Sequence, residues 1–274
     1  MIPVVAEIGL NHSGFLSSAL ELIDMAVEGG ATVVKFQHMH PLKAVPETQW
    51  RRLKEFNGEV MSYIAYKLSM YFDADKWHAI DDKCKEVGIP FSTSVWDTDA
   101  LEDVRGFQMP FIKIPSAHLD NWKLLEACAG TGSPIVLSCG MSTEQEVDNA
   151  VAVVKDVPGT MLMHTHSAYP SPDIEQNLSM IPKMKEKYGL PVGFSSHAVS
   201  PFVPMMAAAR YGADAVEVHI TMDRALGGDN AASLELPGLK LLTRELKRLD
   251  ILDGDGVRRV WPTEEKARLK LRGH

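Results

Sequence analysis

The sequence predicts an α/β fold, a TIM (β/α)8 barrel in a single domain, on three observations. Short apolar runs alternate with amphipathic stretches along most of the chain, and eight such runs can be counted. Polar and charged residues recur at the C-terminal ends of those runs, the edge where a parallel barrel keeps its chemistry. A length of 274 residues, 45% hydrophobic and 23% charged, suits one barrel of ordinary size.

Residues 4–9 form the first expected strand, buried on both faces because the run is continuously apolar apart from Glu7. Residues 17–30 follow as a helix, with apolar positions at helical spacing and a glycine stop, and residues 32–38 as the second strand, closing a right-handed βαβ unit. Residues 40–72 break the rhythm. They crowd Trp50, Phe56, Tyr63, Tyr66, Tyr71 and Phe72 with Arg51, Arg52 and Lys54, an excursion with some helix that could cover a site or pack between subunits. The alternation then resumes with helix 73–88, strand 90–95, helix 97–107, strand 111–116, helix 121–132 and strand 134–140. The run Ser142-Thr-Glu-Gln-Glu opens the next helix with a capping signature. Strand 161–167, helix 173–188, strand 192–197, helix 201–211, strand 215–221 and helix 237–249 complete the set. The barrel thus occupies residues 1–251, and residues 252–274, basic and without apolar pattern, read as a tail or linker.

A formal charge of -8 argues against nucleic acid or an anionic membrane as the main partner, although lysines can still cluster around a small anion. Cys84, Cys128 and Cys139 have no metal-type spacing and read as free or buried thiols of a reducing compartment. The chain begins on a strand-like run rather than a signal peptide, and no apolar stretch is long enough to span a bilayer, so a cytoplasmic protein is expected.

His197 and His219 end two successive strands, so they emerge side by side at one edge of the barrel. Two convergent imidazoles point to a metal, or else each caps its strand through backbone hydrogen bonds. Lys35 and Lys113 interrupt the apolar runs Val-Val-Lys-Phe-Gln and Phe-Ile-Lys-Ile-Pro, where a lysine loses hydration and needs an anion. With Gln37, Ser116 and Ser195 they would make a pocket for a phosphate and a carboxylate. Pairing with buried carboxylates such as Glu7 or Glu217 is a second reading, and a Schiff-base lysine a third.

Eight runs occur in register along nearly the whole chain: Ala6-Glu-Ile-Gly-Leu-Asn-His, Val34-Lys-Phe-Gln, Pro90-Phe-Ser-Thr-Ser, Ile112-Lys-Ile-Pro-Ser, Leu137-Ser-Cys-Gly-Met-Ser-Thr, Tyr169-Pro-Ser-Pro, Pro191-Val-Gly-Phe-Ser-Ser-His and Val216-Glu-Val-His-Ile-Thr-Met-Asp-Arg. Together they resemble the sialic acid (N-acetylneuraminate) synthase family. The resemblance implies a transferase that condenses phosphoenolpyruvate with an open-chain N-acyl amino sugar, such as N-acetylmannosamine, to give a nonulosonic acid and phosphate. It implies a divalent cation, manganese or magnesium, on His197 and His219. It places phosphoenolpyruvate on Lys35, Gln37, Lys113, Ser116 and Ser195, the sugar on Tyr169 and Asp229, and a homodimer around them. Lys113 and Tyr169 are then catalytic candidates, with His118 where the family has a glutamate and Ser167 where it has an asparagine; Ser196 replaces an aspartate. Most members of the family also carry a C-terminal antifreeze-like domain, and residues 252–274 resemble the linker to it. Other phosphoenolpyruvate aldose synthases, an imine-forming aldolase and a non-catalytic sugar-binding barrel are the competing expectations.

Overall fold

The computed structural model describes residues 2–56 and 58–273; Met1 and His274, the outer ends of the expected barrel and tail, and Asn57 of the excursion lie outside it. Among the described residues ten strands occur in chain order: β1 (Val4–Gly9), β2 (Val33–His38), β3 (Leu53–Phe56), β4 (Glu59–Ser62), β5 (Phe91–Val95), β6 (Ile112–Ile114), β7 (Ile135–Ser138), β8 (Met161–Thr165), β9 (Val192–Ser196) and β10 (Val216–His219). Eight of them close a parallel barrel in the order β1-β10-β9-β8-β7-β6-β5-β2, and β3 pairs with β4 as a separate antiparallel hairpin. The eight barrel strands are those expected from the sequence, each within a few residues.

The helices between them follow from local chemistry. Asp73, Asp97, Asn121 and Thr143 each accept a backbone N–H at a helix start, and Thr143 and Glu146 form the expected capping box. The helix faces bury residues such as Leu22, Ile23, Trp77, Ile80, Leu124 and Val151 against the outer side of the strands in one apolar cluster. All three cysteines are free, and no helix among the described residues is long and apolar enough to cross a membrane.

One local expectation is corrected, and two segments gain detail. The helix expected over 173–188 is a 3-10 turn, Asp173–Glu175, followed by an α-helix only at Met180–Tyr188. Asn177 between them takes φ 42°, outside helical geometry, and the buried Gln176 side chain donates to Ser171 and Pro172 instead of extending a helix. The excursion contains a hairpin that its half-exposed residues concealed, between a short helix (Pro41–Ala44) and a second one (Tyr63–Ser69). Within 252–274 the chain is helical over Pro262–Arg272, exposed throughout, with Glu264 and Glu265 near its positive end and Lys270 and Arg272 near its negative end. The excursion rests on the loop after β1, where Gly14 has φ 82° and an added Cβ would lie 2.1 Å from the Ser69 carbonyl oxygen.

Candidate active site

Along β2 the side chains of Lys35 and Gln37 alternate with Val34, Phe36 and His38, so one face of the strand points into the barrel and the other into the helix layer. The inward faces of the strands, with the loops that follow them, line a cavity at the C-terminal edge. Lys35, Gln37, Lys113, Ser116, Ser167, Tyr169, Ser195, His197 and His219 all line it, so most of the expected site is brought together.

Two expected residues stand apart. His118 is absent from this lining; it packs edge-on against Trp96, which does line the cavity, and its Nδ1 lies 3.4 Å from Asn121 Nδ2. Asp229 lines an adjoining cleft with Asn11, Lys54 and Tyr66, so that cleft joins the excursion to the loop after β10. Lys67 of the excursion is buried, with its ammonium 5.6 to 5.8 Å from the rings of Tyr63, Tyr66 and Trp96. The excursion therefore borders the site.

Both lysines are paired as the second sequence reading foresaw. Lys35 Nζ lies 2.5 Å from Glu7 and 3.6 Å from Glu217, and Lys113 Nζ donates to Glu217 at 2.6 Å. Lys35 also donates to Ser94 at 2.8 Å, Ser195 to Glu217 at 3.2 Å and Gln37 to Glu7 at 3.2 Å. Parallel register places these groups: Glu7 is opposite Lys35 on one side and His219 on the other, and Glu217 is opposite Ser195. Two carboxylates and two ammonium groups thus alternate on the cavity wall. Burial pushes the Glu7 carboxyl up to about 7 against the pull of Lys35. Burial also opposes ionisation of Glu217, but Lys113 and Lys35 together hold it down at about 2. Glu7 can therefore carry a proton where Glu217 cannot.

The two histidines fit a metal. His197 Nδ1 lies 2.5 Å from the His166 carbonyl oxygen, so Nδ1 carries the hydrogen and Nε2 keeps its lone pair. His219 Nδ1 is buried with no hydrogen-bond partner. Their rings are 5.5 Å apart, and Tyr169 stacks on His197 at 3.9 Å and stands edge-on to His219. Burial lowers both imidazoles, His197 to about 4, so both are neutral ligands near pH 7. Two nitrogens of this kind suit a borderline divalent ion whose remaining positions go to water or substrate oxygens.

A profile described as the NeuB family matches residues 22–258. The chain belongs to the NeuB family. It is thus a sialic-acid-type synthase, a phosphoenolpyruvate-dependent transferase that forms carbon–carbon bonds. It is 31% identical to human N-acetylneuraminate-9-phosphate synthase over 272 residues, covering 98% of this chain and 76% of that protein. With the N,N'-diacetyllegionaminic acid synthase of Legionella pneumophila it shares 29% over 278 residues, 98% of this chain and 78% of that one. The crystal structure of the N-acetylneuraminic acid synthetase of Leptospira borgpetersenii, in complex with citrate, superposes with a TM-score of 0.83 at 30% identity and covers 100% of this chain and 93% of that one.

Within this NeuB family barrel, sequence reasoning left out Glu7 and Glu217 as site residues and cast them only as partners for the lysines. The signal was the same as for the lysines, an ionisable residue inside a buried strand. It also missed Gly140, where a Cβ would meet Ser167 Oγ at 2.5 Å, Thr165 Cγ2 at 2.8 Å and Ser116 Oγ at 2.9 Å, all cavity-lining residues. Gly140 N donates to Ser116 Oγ at 3.0 Å, so the close approach also fixes that hydroxyl. Gly140→Ala is expected to raise the KM for the anionic substrate at least about tenfold while costing about 1–3 kcal/mol of stability. Initial-rate kinetics and urea unfolding measure the two effects.

The buried imidazoles also set a pH dependence. His12 is lowered by burial to about 3 and His197 to about 4, and burial likewise lowers His38, His118, His164 and His219. Above about pH 6.5 these groups are neutral both folded and unfolded; below it the unfolded chain takes up protons that the folded chain resists, so stability falls as pH drops toward 3. Glu7, raised to about 7, has the opposite sign, because the folded chain holds its proton at a pH where the unfolded one does not. Asp229, also raised by burial, acts with Glu7, and six imidazoles outweigh these two carboxyls. A net loss of a few kcal/mol is expected between pH 7 and pH 5 by urea unfolding.

Proposed function

We propose that this chain condenses phosphoenolpyruvate with an aldose, an N-acyl amino sugar such as N-acetylmannosamine, to give a nonulosonic acid and phosphate. The observation that carries this reading is the convergence of Lys35, Lys113, Gln37, Ser116 and Ser195 with two neutral imidazoles on one cavity. The ammonium groups and hydroxyls bind the phosphate and carboxylate of phosphoenolpyruvate, and Ser167, Tyr169 and Asp229 hold the sugar. His197 and His219 would hold a manganese or magnesium ion, which when bound supplies a Lewis acid for the sugar aldehyde. C3 of phosphoenolpyruvate bonds to the aldehyde carbon, water adds at C2, and the C2–O bond to phosphate breaks. Lys113 and Lys35 steady the oxygens that gain or lose charge, and Tyr169 orients His197. Glu7, with a carboxyl that can be protonated near pH 7, can donate or accept the proton exchanged with the water or the new hydroxyl. His118 acts from behind Trp96, setting the shape of the acceptor side rather than touching the reacting carbons.

The catalytic unit in this reading is the barrel of residues 1–251 with its excursion at 40–72, working in the cytoplasm as a homodimer, and residues 252–274 lead away from it. Formation of an imine is disfavoured by the lysine pairing, since an ammonium held by a carboxylate at 2.5 or 2.6 Å is not a free amine. The test is phosphate release from phosphoenolpyruvate over a panel of aldoses, with and without N-acyl groups and 6-phosphates. The expected result is release that depends on both manganese and an N-acyl amino sugar. Release with another aldose class replaces the acceptor, and borohydride trapping of a carbonyl substrate on the protein replaces the mechanism with an imine.

A further inference from the structure

We propose that His38, His40 and Asp103 form a second divalent-metal site, suited to zinc, on the outer side of the barrel and separate from the central cavity. His38 is the last residue of β2, and the chain stays extended through His40, whose φ and ψ are -88° and 104°. Residues two apart on extended chain project to the same side. This is the side of Val34 and Phe36, opposite Lys35 and Gln37, and none of the three residues lines the central cavity.

Asp103 comes from the neighbouring unit, on the helix Thr98–Val104 that follows β5. His38 Nε2 lies 2.9 Å and His40 Nε2 2.8 Å from the same oxygen, Asp103 Oδ2. All three ligand atoms lie within 4.8 Å of one another, the only group of three His, Cys, Asp or Glu ligands of this kind among the described residues. Two imidazoles sharing one carboxylate oxygen could be hydrogen-bond donors alone. Their surroundings favour a site with an ion between them. His38 is buried, while His40 and Asp103 keep 29% and 40% of their side-chain surface exposed, so water and an ion can reach the open side.

The ligands are also held in place from behind. Tyr71 stacks on His38 and lies against His40, with centroid distances of 5.7 and 5.4 Å, and Trp77 stands edge-on to His38 at 5.0 Å. Asp97 accepts from the His40 backbone N–H at 2.7 Å and from Asp99 and Ala100 at the start of the Asp103 helix, tying together the two segments that supply the ligands. Two imidazole nitrogens and one carboxylate, with one position left for water, make a tetrahedral set for zinc; magnesium and calcium demand mostly oxygen ligands. An ion here fastens the start of the excursion to the barrel and does no chemistry on the substrate.

The test is titration of the full chain with zinc, and with cobalt as a visible reporter of tetrahedral coordination. In His197→Ala/His219→Ala protein one zinc equivalent should remain, with cobalt absorption of the tetrahedral type. His40→Ala and Asp103→Asn, each added to that background, should weaken this zinc at least tenfold. Should the background not fold, the same loss is read on the otherwise intact chain as a fall from two zinc equivalents to one. Absence of an equivalent that survives removal of the central pair, or one unaffected by His40→Ala or by Asp103→Asn, overturns the proposal.

Discussion

Alanine in place of His219, or of His197, lowers turnover of phosphoenolpyruvate and sugar by about a thousandfold or more, the loss expected when a Lewis acid contributing about 4 kcal/mol to the barrier is removed. The fold survives, because neither ring carries the core: each is buried at the edge of the cavity rather than in the apolar cluster. Chelation of the unaltered protein should reproduce the loss, and added manganese should reverse it only where both imidazoles are present. Calorimetric titration with manganese separates this from a structural defect. Unchanged manganese affinity in both variants would overturn the assignment.

Lys113→Met is expected to act on two quantities at once. Glu217 loses its 2.6 Å partner and keeps Lys35 at 3.6 Å as its one cation, with the Ser195 hydroxyl at 3.2 Å, so a buried carboxylate is left under-compensated at a cost of about 3 kcal/mol. The KM for phosphoenolpyruvate should rise about 10- to 100-fold from loss of a charge-assisted contact, while the KM for the sugar changes by less than about threefold. Adding Glu217→Gln should restore most of the stability without restoring the anion affinity. A double variant that recovers both would show that Lys113 serves the fold and not the substrate.

The barrel was legible because its signal repeats. Eight apolar runs, each ended by a polar residue, specify parallel strands and the edge at which they converge, and the facing pairs Glu7 with Lys35 and Glu217 with Ser195 then follow from register. The lysines stood out for the same reason that the carboxylates were undervalued. An ammonium in an apolar run demands an explanation; a substrate anion was the first and pairing with Glu7 or Glu217 only the second, so the carboxylates' own place on the cavity wall was passed over. Gly140 carried no sequence signal, since its role is the absence of a side chain between three strand ends. The hairpin at Leu53–Phe56 and Glu59–Ser62 was hidden by partial exposure, which leaves neither a buried run nor a clean alternation. Asp229 was expected to hold the sugar; the fold sets it in the cleft beside the excursion rather than in the lining of the central cavity, a placement that chain order alone does not give.

The alternation of Glu7, Lys35, Glu217 and Lys113 leaves the cavity wall close to electrical neutrality before any anion arrives. A phosphate and a carboxylate entering it add negative charge beside Glu7, whose carboxyl burial raises to about 7. Their arrival favours the protonated form of Glu7, so the anion and a proton enter together. The site then works as a proton-coupled trap for its anion: affinity falls as the pH rises, and the heat of binding depends on which buffer gives up the proton.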